Sequence, residues 1–339
     1  MSTESKPVIA VLPGDPSGIG PEMMVKLLQR AQNLEAADLL VIADPRVIAS
    51  GERIAGAKLD LLRIDRLDDL RFEPGRITLL AQDTMAGRDP VLGESNAHSG
   101  TASFQAMELA TEAVRRGRVQ GIVFAPLNKH SLRLGGLTHE DELRYMQERF
   151  AVDGFVCEFN ITQGLWTSRV TSHVPISQVA GLITGQGVQD AVHIIHDALR
   201  RAGIDKPRIA VSGLNPHCGF DDLDLFHADR AAEPAVRALQ QQGLDARGPF
   251  SPDTVFIGAR RGDVDAVVSM YHDQGQIAMK LMGFDHGVTL HGGLPVPVAT
   301  SASGSAFDIA GKGVANVEGL QHAFDLCVRM SREQVAVAA

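Results

Sequence analysis

Polar residues of the types that bind metals and transfer protons follow an apolar run in the stretch SMYHDQGQIAMK, residues 269–280. His272 and Asp273 are adjacent there, and Lys280 lies eight residues beyond His272. The segment before them, GDVDAVVSM, is apolar and bounded by glycine and by polar residues, which predicts a short buried strand. Because α/β proteins place their chemistry at the carboxyl ends of strands, this stretch is a candidate active-site segment.

Three histidines each end an apolar, strand-like run beside proline, glycine or another polar residue: His173 in TSHVP, His217 in GLNPHCG and His272 in YHDQG. Imidazoles from separate strand ends could form an open metal site that leaves positions for substrate oxygens. Such a site would favour zinc, cobalt, nickel or iron over magnesium. No HExxH-like signature supports the set, so packed or solvated rings are the alternative, as they are for His193 and His196 in a helical pattern.

Two acidic residues and a lysine have positions suited to roles beside such a metal. Asp253 in FSPDTVF and Asp273 could orient metal-bound imidazoles, although a helix N-cap or a turn also accounts for Asp253. Lys280 could donate to an oxyanion or carry a proton, and a solvated lysine is the alternative. Sequence spacing alone does not decide between the active-site role and the alternative for Asp253 or for Lys280.

Two glycine-containing segments could let a ligand approach the backbone. LPGDPSGIGPE, residues 12–22, lies between a predicted strand and a predicted helix, and it is either an anion cradle at the helix N-terminus or a structural turn. It matches neither GxGxxG nor a P-loop. SGSAFDIAGKGVANVEG, residues 303–319, is a small-residue segment that could hold an adenosine moiety, or a glycine-rich loop around a short helix.

The elements that must position these residues alternate along the chain. Apolar runs such as VIAVLPG and RIAVSGLNPH alternate with amphipathic helical patterns such as GVQDAVHIIHDALRRAG. This alternation predicts βαβ units and a largely parallel sheet. Because no Gly/Ser-rich or Pro-rich linker divides the chain, we expect two domains joined by crossing strands, with boundaries near residues 126 and 300 and a cleft between the domains.

Composition limits the classes of partner. The 339 residues are 44% hydrophobic and carry a formal charge of −9, which argues against a nucleic-acid or anionic-membrane surface because either needs a basic face. The three cysteines show no CxxC pairing, so neither a disulfide framework nor a thiolate zinc site is indicated. Neither a secretion signal nor a membrane-spanning run is recognisable. A cytoplasmic protein with a small-molecule partner is expected.

Five motifs occur in order across nearly the whole chain: GDPSGIGPE, APLNK, GLNPH, YHDQGQIAMK and SGSAFDIAGKGVAN. Together they resemble the 4-hydroxythreonine-4-phosphate dehydrogenase (PdxA) family of vitamin B6 synthesis. The resemblance implies a two-domain α/β fold like that of isocitrate and isopropylmalate dehydrogenases, with a discontinuous first domain, 1–125 plus 300–339, and a second domain, 126–299. It also implies a homodimer with NAD or NADP and one divalent metal (zinc, cobalt, magnesium or manganese) per active site.

The resemblance assigns roles to particular residues, motif by motif. The metal ligands, drawn from both subunits, are His173, His217 and His272. Substrate binding falls on His139 in THED and on Lys280, and Lys280 would handle the proton with Asp253 or a water. The cofactor residues in the last motif are Gly304, Asp308, Gly311 and Asn316.

Four positions depart from the family pattern. Glu140 replaces a substrate-binding threonine, and a carboxylate there would repel a dianionic phosphate. Two further predicted substrate-binding positions also differ: Thr289 replaces an asparagine and Val298 replaces an arginine. Arginine is the residue type best suited to binding phosphate or carboxylate. Ser303 stands where the last motif has a histidine, so both NAD and NADP stay open.

The sequence therefore predicts a metal-dependent, NAD(P)-linked dehydrogenase that oxidises a secondary alcohol β to a carboxylate, with decarboxylation. The substrate is 4-hydroxythreonine 4-phosphate or, given the altered phosphate pocket, an unphosphorylated acid such as a dihydrodiol carboxylate. Two other classes stay open. One is a non-catalytic metal- or ligand-binding paralogue, and the other is a metal-dependent lyase that never uses NAD.

Overall fold

A computed structural model describes residues 6–219, 227–283 and 286–338. Within these residues, strands and helices alternate as the apolar patterns predict. The strands are β1 (Val8–Leu12), β2 (Asp38–Ala43), β3 (Leu61–Ile64), β4 (Ile77–Ala81), β5 (Gly121–Phe124), β6 (Cys157–Thr162), β7 (Leu165–Arg169), β8 (Arg208–Ser212), β9 (Asp245–Phe250), β10 (Ala266–Ser269), β11 (Val288–Gly292) and β12 (Val298–Ser301).

The α-helices of the described residues are α1 (Gly20–Leu28), α2 (Ala31–Ala36), α3 (Pro45–Ala55), α4 (Ala97–Arg115), α5 (Lys129–Leu134), α6 (Glu142–Arg149), α7 (Ile176–Leu182), α8 (Gly185–Arg201), α9 (Ala232–Gln241), α10 (Val255–Arg260), α11 (His272–Gly283) and α12 (Glu318–Ala338). Short 3-10 helices span Leu67–Asp69, Pro216–Gly219 and His227–Ala231. Among the helices described, none is long and apolar enough to cross a membrane.

The chain divides into two compact units. The first unit comprises Met1–Val152 and Leu294–Ala339, and the second unit comprises Asp153–Gly293. Residues 126–152 and 294–299, which the sequence assigned to the second domain, cluster with the first unit. In the first of these segments, α5 packs closely on α4. A Cβ at Gly100 of α4 would lie 1.7 Å from the carbonyl oxygen of Ser131 in α5.

The sheet of the first unit is parallel, in the order β3-β4-β2-β1-β5-β12. Its central strands are continuous apolar runs, and Ile9 to Val11 of β1 are fully buried. Such runs are expected where helices cover both faces of a parallel sheet. The predicted α/β class with mostly parallel strands is confirmed.

The sheet of the second unit has the order β11-β6-β7-β10-β8-β9 and is mixed. β6 pairs antiparallel with β11 and β7, while β7, β10, β8 and β9 are parallel neighbours. β6 and β7 are joined by Gln163 and Gly164, whose φ angles of 48° and 82° are typical of a tight type I′ hairpin turn. Because β7 and β10 are parallel neighbours, they end at the same edge of the sheet.

Candidate active site

The carboxyl ends of β7 and β10 bring His173 and His272 together. Thr171, just after β7, donates from its backbone N–H and its hydroxyl to the carbonyl oxygen of Met270, at 3.1 and 2.8 Å. This double hydrogen bond holds the segments that follow both strands side by side. The centres of the two imidazole rings are 5.7 Å apart. Two of the three predicted metal ligands are thus neighbours, although they are far apart in sequence.

A cavity of about 510 Å³ opens at this edge of the second unit. It is lined by Thr171, Ser172, His173, Val174, Ile176, Val179, Tyr271, His272 and Asp273. His173 is exposed and has φ of 47°, a left-handed backbone conformation that is uncommon for a residue with a Cβ. Residues held in such conformations cluster at functional sites.

The carboxylate of Asp273 orients the ring of His272. Nδ1 of His272 and Oδ1 of Asp273 are 2.7 Å apart, so the carboxylate accepts the Nδ1 proton, and in the neutral ring Nε2 is then the nitrogen that has the lone pair. A carboxylate that fixes the tautomer of an imidazole in this way is the usual outer partner of a metal-bound histidine. This donor set fits a divalent metal that takes nitrogen ligands.

His217 lies on the loop after β8, which is anchored to the start of α11. The Gln274 carboxamide donates to the carbonyl oxygens of Gly213 and Leu214 at 3.1 and 3.2 Å and accepts from the Met270 N–H at 2.8 Å. His217 is exposed, with φ of 54°. Among the described residues, neither His217 nor His272 belongs to a group of three possible metal ligands within 4.8 Å of one another. The role of His217 as the third metal ligand stays a prediction.

The predicted catalytic residues also belong to the second unit. Lys280 is exposed on α11, the helix that begins at His272. Asp253 is exposed in the turn before α10, where Thr254 occupies the N-cap position. Burial first, and then the charges of Asp229 and Asp253, raise the pKa of the Cys218 thiol, which follows His217 in the chain.

A buried polar network that the sequence analysis missed lies behind the cavity. Arg169, 3% exposed, forms an ion pair with Glu158 at 2.7 Å and donates to Asn160 Oδ1 at 3.0 Å. Asn160 lies directly opposite Thr289 on β11 and donates to its hydroxyl at 3.3 Å. The available signal was the alternation of polar residues in CEFNIT, which puts Glu158 and Asn160 on one face of β6.

The charges around Glu158 keep it ionised. Burial alone would raise the pKa of this carboxyl group, but its interactions with His291 and Arg169 and the hydrogen bond from Arg169 hold the pKa below its usual value. The network therefore contains a carboxylate and a guanidinium ion rather than neutral groups.

The remaining predicted substrate residues lie in the first unit. His139 precedes α6, and its Nε2 is 2.8 Å from Oε2 of Glu148. The exposed Glu140 follows it. Val298 is fully buried in β12, where it lies beside Ile122 of β5. Its side chain is therefore part of the apolar core.

The two glycine-containing segments meet within the first unit. The Ile19 N–H donates to the carbonyl oxygen of Ser305 at 3.0 Å, and a Cβ at Gly18 would lie 2.6 Å from that oxygen. The predicted cofactor residues are all exposed on this segment: Gly304, Asp308, Gly311 and Asn316. At Gly304 an added Cβ would meet nothing within 4 Å, so the backbone there is open to a ligand.

Comparison with known proteins shows the family. The model of the family described as Pyridoxal phosphate biosynthetic protein PdxA matches residues 35–327. A relative from Pseudomonas aeruginosa, named "Putative 4-hydroxythreonine-4-phosphate dehydrogenase 2", is 45% identical over 98% of this chain and 100% of its own length. D-threonate 4-phosphate dehydrogenase of Cupriavidus necator is 36% identical over 95% of this chain and 98% of its own. The chain belongs to the PdxA family.

Solved structures agree with this assignment. A 4-hydroxythreonine-4-phosphate dehydrogenase from Burkholderia phymatum is 34% identical, with a TM-score of 0.80 over 96% of this chain and 98% of that one. A terephthalate 1,2-cis-dihydrodiol dehydrogenase from Burkholderia xenovorans LB400 is 27% identical, with a TM-score of 0.67 over 96% and 98%. A β-decarboxylating dehydrogenase from Thermococcus kodakarensis, 15% identical over 94% and 81%, shares the fold with a TM-score of 0.53.

These findings confirm the predicted family, the relation to the fold of β-decarboxylating dehydrogenases, and the enzyme class. The protein is an oxidoreductase, a dehydrogenase that acts on a hydroxyl group. A dehydrogenase of this kind implies a nicotinamide cofactor and a small-molecule substrate.

Proposed function

We propose that the protein oxidises a secondary alcohol β to a carboxylate, with a divalent metal at the histidine pair and NAD or NADP as hydride acceptor, and that loss of CO2 follows. The observation that carries the proposal is the placement of His173 and His272 at one sheet edge, with Asp273 fixing the tautomer of His272. The favoured substrate is 4-hydroxythreonine 4-phosphate or a close relative such as D-threonate 4-phosphate, since family members carry these names.

The chain's own residues divide the work. His173 and His272 would hold the metal through ring nitrogens, and Asp273 orients one of those rings. The bound metal would supply Lewis acidity toward the substrate hydroxyl, and the nicotinamide would accept the hydride. Lys280, with Asp253 or a water, would take up the hydroxyl proton and return a proton to the carbon that loses CO2. His217 would be a further metal ligand.

An unphosphorylated dihydrodiol carboxylate is a second candidate substrate. The likeness to the terephthalate dihydrodiol dehydrogenase favours it. So do Glu140, whose charge would repel a phosphate, and Val298, whose buried apolar side chain replaces an arginine. For either substrate we propose a cytoplasmic homodimer, which light scattering on the purified protein would test.

The test is formation of NADH or NADPH by protein loaded with Co2+ or Zn2+. It is run with 4-hydroxythreonine 4-phosphate, D-threonate 4-phosphate and a cis-dihydrodiol carboxylate. H272A should lose metal binding and turnover. H193A, which changes a half-buried histidine on α8 bonded to Gln242, should keep both. Turnover of a phosphate ester supports the first substrate, and turnover of the diol alone supports the second. Product without reduced nicotinamide would indicate a lyase, and no product with any acid would indicate a binding protein.

A further inference from the structure

Arg169 sits at the centre of the polar network and binds three side chains at once. Its guanidinium donates from Nη2 to Glu158 Oε2 at 2.7 Å, from Nη1 to Asn160 Oδ1 at 3.0 Å, and from Nε to the hydroxyl of Ser172. The side chain is 4% exposed. Because the fork of donors is planar and rigid, these three partners are fixed relative to one another.

Through its Nε, Arg169 binds the segment that carries His173. Ser172 is the residue before His173, and its hydroxyl accepts the Nε hydrogen bond from Arg169. His173 itself has a left-handed backbone, with φ of 47°, that surrounding contacts must maintain. The bond to Ser172 anchors the chain directly before this turn, as the bonds from Thr171 to Met270 do one residue earlier. Arg169 therefore helps to hold the segment that carries His173.

Through its Nη1, Arg169 also binds Asn160, and Asn160 in turn binds the hydroxyl of Thr289. Oδ1 of Asn160 accepts from Arg169 and from Nε2 of Gln276, so its carbonyl oxygen is occupied twice. The amide is thereby oriented with Nδ2 toward the Thr289 hydroxyl, to which it donates at 3.3 Å. A hydroxyl oxygen that accepts one hydrogen bond still has its own proton to donate. The network thus makes Thr289 a hydrogen-bond donor.

We propose that Arg169 is a positioning residue for the dehydrogenase reaction. It orients His173 through Ser172, and through Asn160 it turns the Thr289 hydroxyl proton toward an anionic oxygen of the substrate, carboxylate or phosphate. This inference rests on the proposed function, because it takes His173 as a metal ligand, and on the sequence-based prediction that Thr289 is at a substrate-binding position.

Single variants separate the two sides of the fork. S172A should weaken Co2+ binding about tenfold, the effect typical of losing an outer partner of a metal ligand, and leave KM within about twofold. T289V should raise KM about tenfold at unchanged Co2+ affinity, and T289S should restore KM. R169K keeps the charge but not the planar fork, and it should change both quantities. Visible absorption of bound Co2+ and steady-state kinetics measure the two quantities.

The matched control is R208K in the same unit. Arg208 also binds a carboxylate through two donors: its Nη2 and Nε donate to Asp265 at 2.8 and 3.1 Å, away from the cavity residues. It should change neither Co2+ affinity nor KM. If R169K lowers only the melting temperature, as R208K does, the inference is overturned while the proposed function stands. If R169K does not fold, unchanged Co2+ affinity in S172A together with unchanged KM in T289V overturns it. Wild-type protein that binds no Co2+ overturns the proposed function and this inference with it.

Discussion

Replacing Asp273 with asparagine tests whether the histidine pair is a metal site. Oδ1 of Asp273 accepts from Nδ1 of His272 at 2.7 Å, which leaves Nε2 as the ligand atom. Asparagine has nearly the same size but no charge, so the ring loses the anion that fixes its tautomer and raises its basicity. Substitutions of this kind weaken metal binding by about 10- to 100-fold.

The exposure of the pair places the expected loss at the lower end of that range. The side chains of His272 and Asp273 are 36% and 68% exposed, so water screens the carboxylate and replaces part of the hydrogen bond. We expect Co2+ to bind about tenfold more weakly, a loss of about 1.4 kcal/mol. The unfolding free energy of metal-free protein should change by less than about 0.5 kcal/mol, because exposed pairs contribute little.

A second histidine–aspartate pair provides the control. His196 and Asp197 on α8 are also adjacent in sequence, with Nδ1 and Oδ1 3.2 Å apart and exposures of 24% and 77%. Co2+ titrations followed by visible absorption should distinguish D273N from wild type but not D197N from wild type. An equal Co2+ affinity for D273N and wild type, or an equal loss in D273N and D197N, would refute the assignment of this pair to the metal.

Three further predictions concern stability. In wild type, the depressed pKa of Glu158 gives stability that is fully present above its ordinary value near 4.5 and is lost as pH falls through the folded value. The melting temperature of E158Q should therefore lie furthest below wild type above about pH 4.5, and the gap should narrow in acid. G100A should destabilise the first unit by more than about 2 kcal/mol in urea unfolding, since the new Cβ would collide with a backbone carbonyl 1.7 Å away. N96A removes the side chain that accepts the Ser99 N–H at the start of α4, and calorimetry should find a loss of about 1 kcal/mol.

Local patterns were sufficient for the parallel strands but not for the hairpin. The runs VIAVLPG and RIAVSGLNPH became β1 and β8, because a strand covered on both faces must be apolar throughout. β6 was not predicted, since CEFNIT contains two polar residues, Glu158 and Asn160, whose partner is Arg169 at the end of β7. The contents of a buried polar network depend on partners distant in sequence, which a local pattern does not reveal.

The same limit applies to the candidate site. That His173 and His272 each follow a strand could be inferred from the apolar runs before them. That they are neighbours depends on the strand order, which makes β7 and β10 adjacent through contacts such as Thr171 to Met270, 99 positions apart. The strand order depends on contacts between distant parts of the chain. The sequence therefore identified both histidines as candidates but did not predict that they are neighbours.

The departure at Thr289 shows why one position read alone is incomplete. The family pattern has an asparagine there, and this chain has a threonine. In the folded chain, Asn160 lies directly across the strand pair and places a carboxamide 3.3 Å from the Thr289 hydroxyl. Residues opposite each other in antiparallel strands share one face, so a group lost from one strand can be supplied by the next. A hydroxyl that accepts a hydrogen bond from an oriented amide keeps its own proton to donate, which makes this position favourable for an acceptor atom.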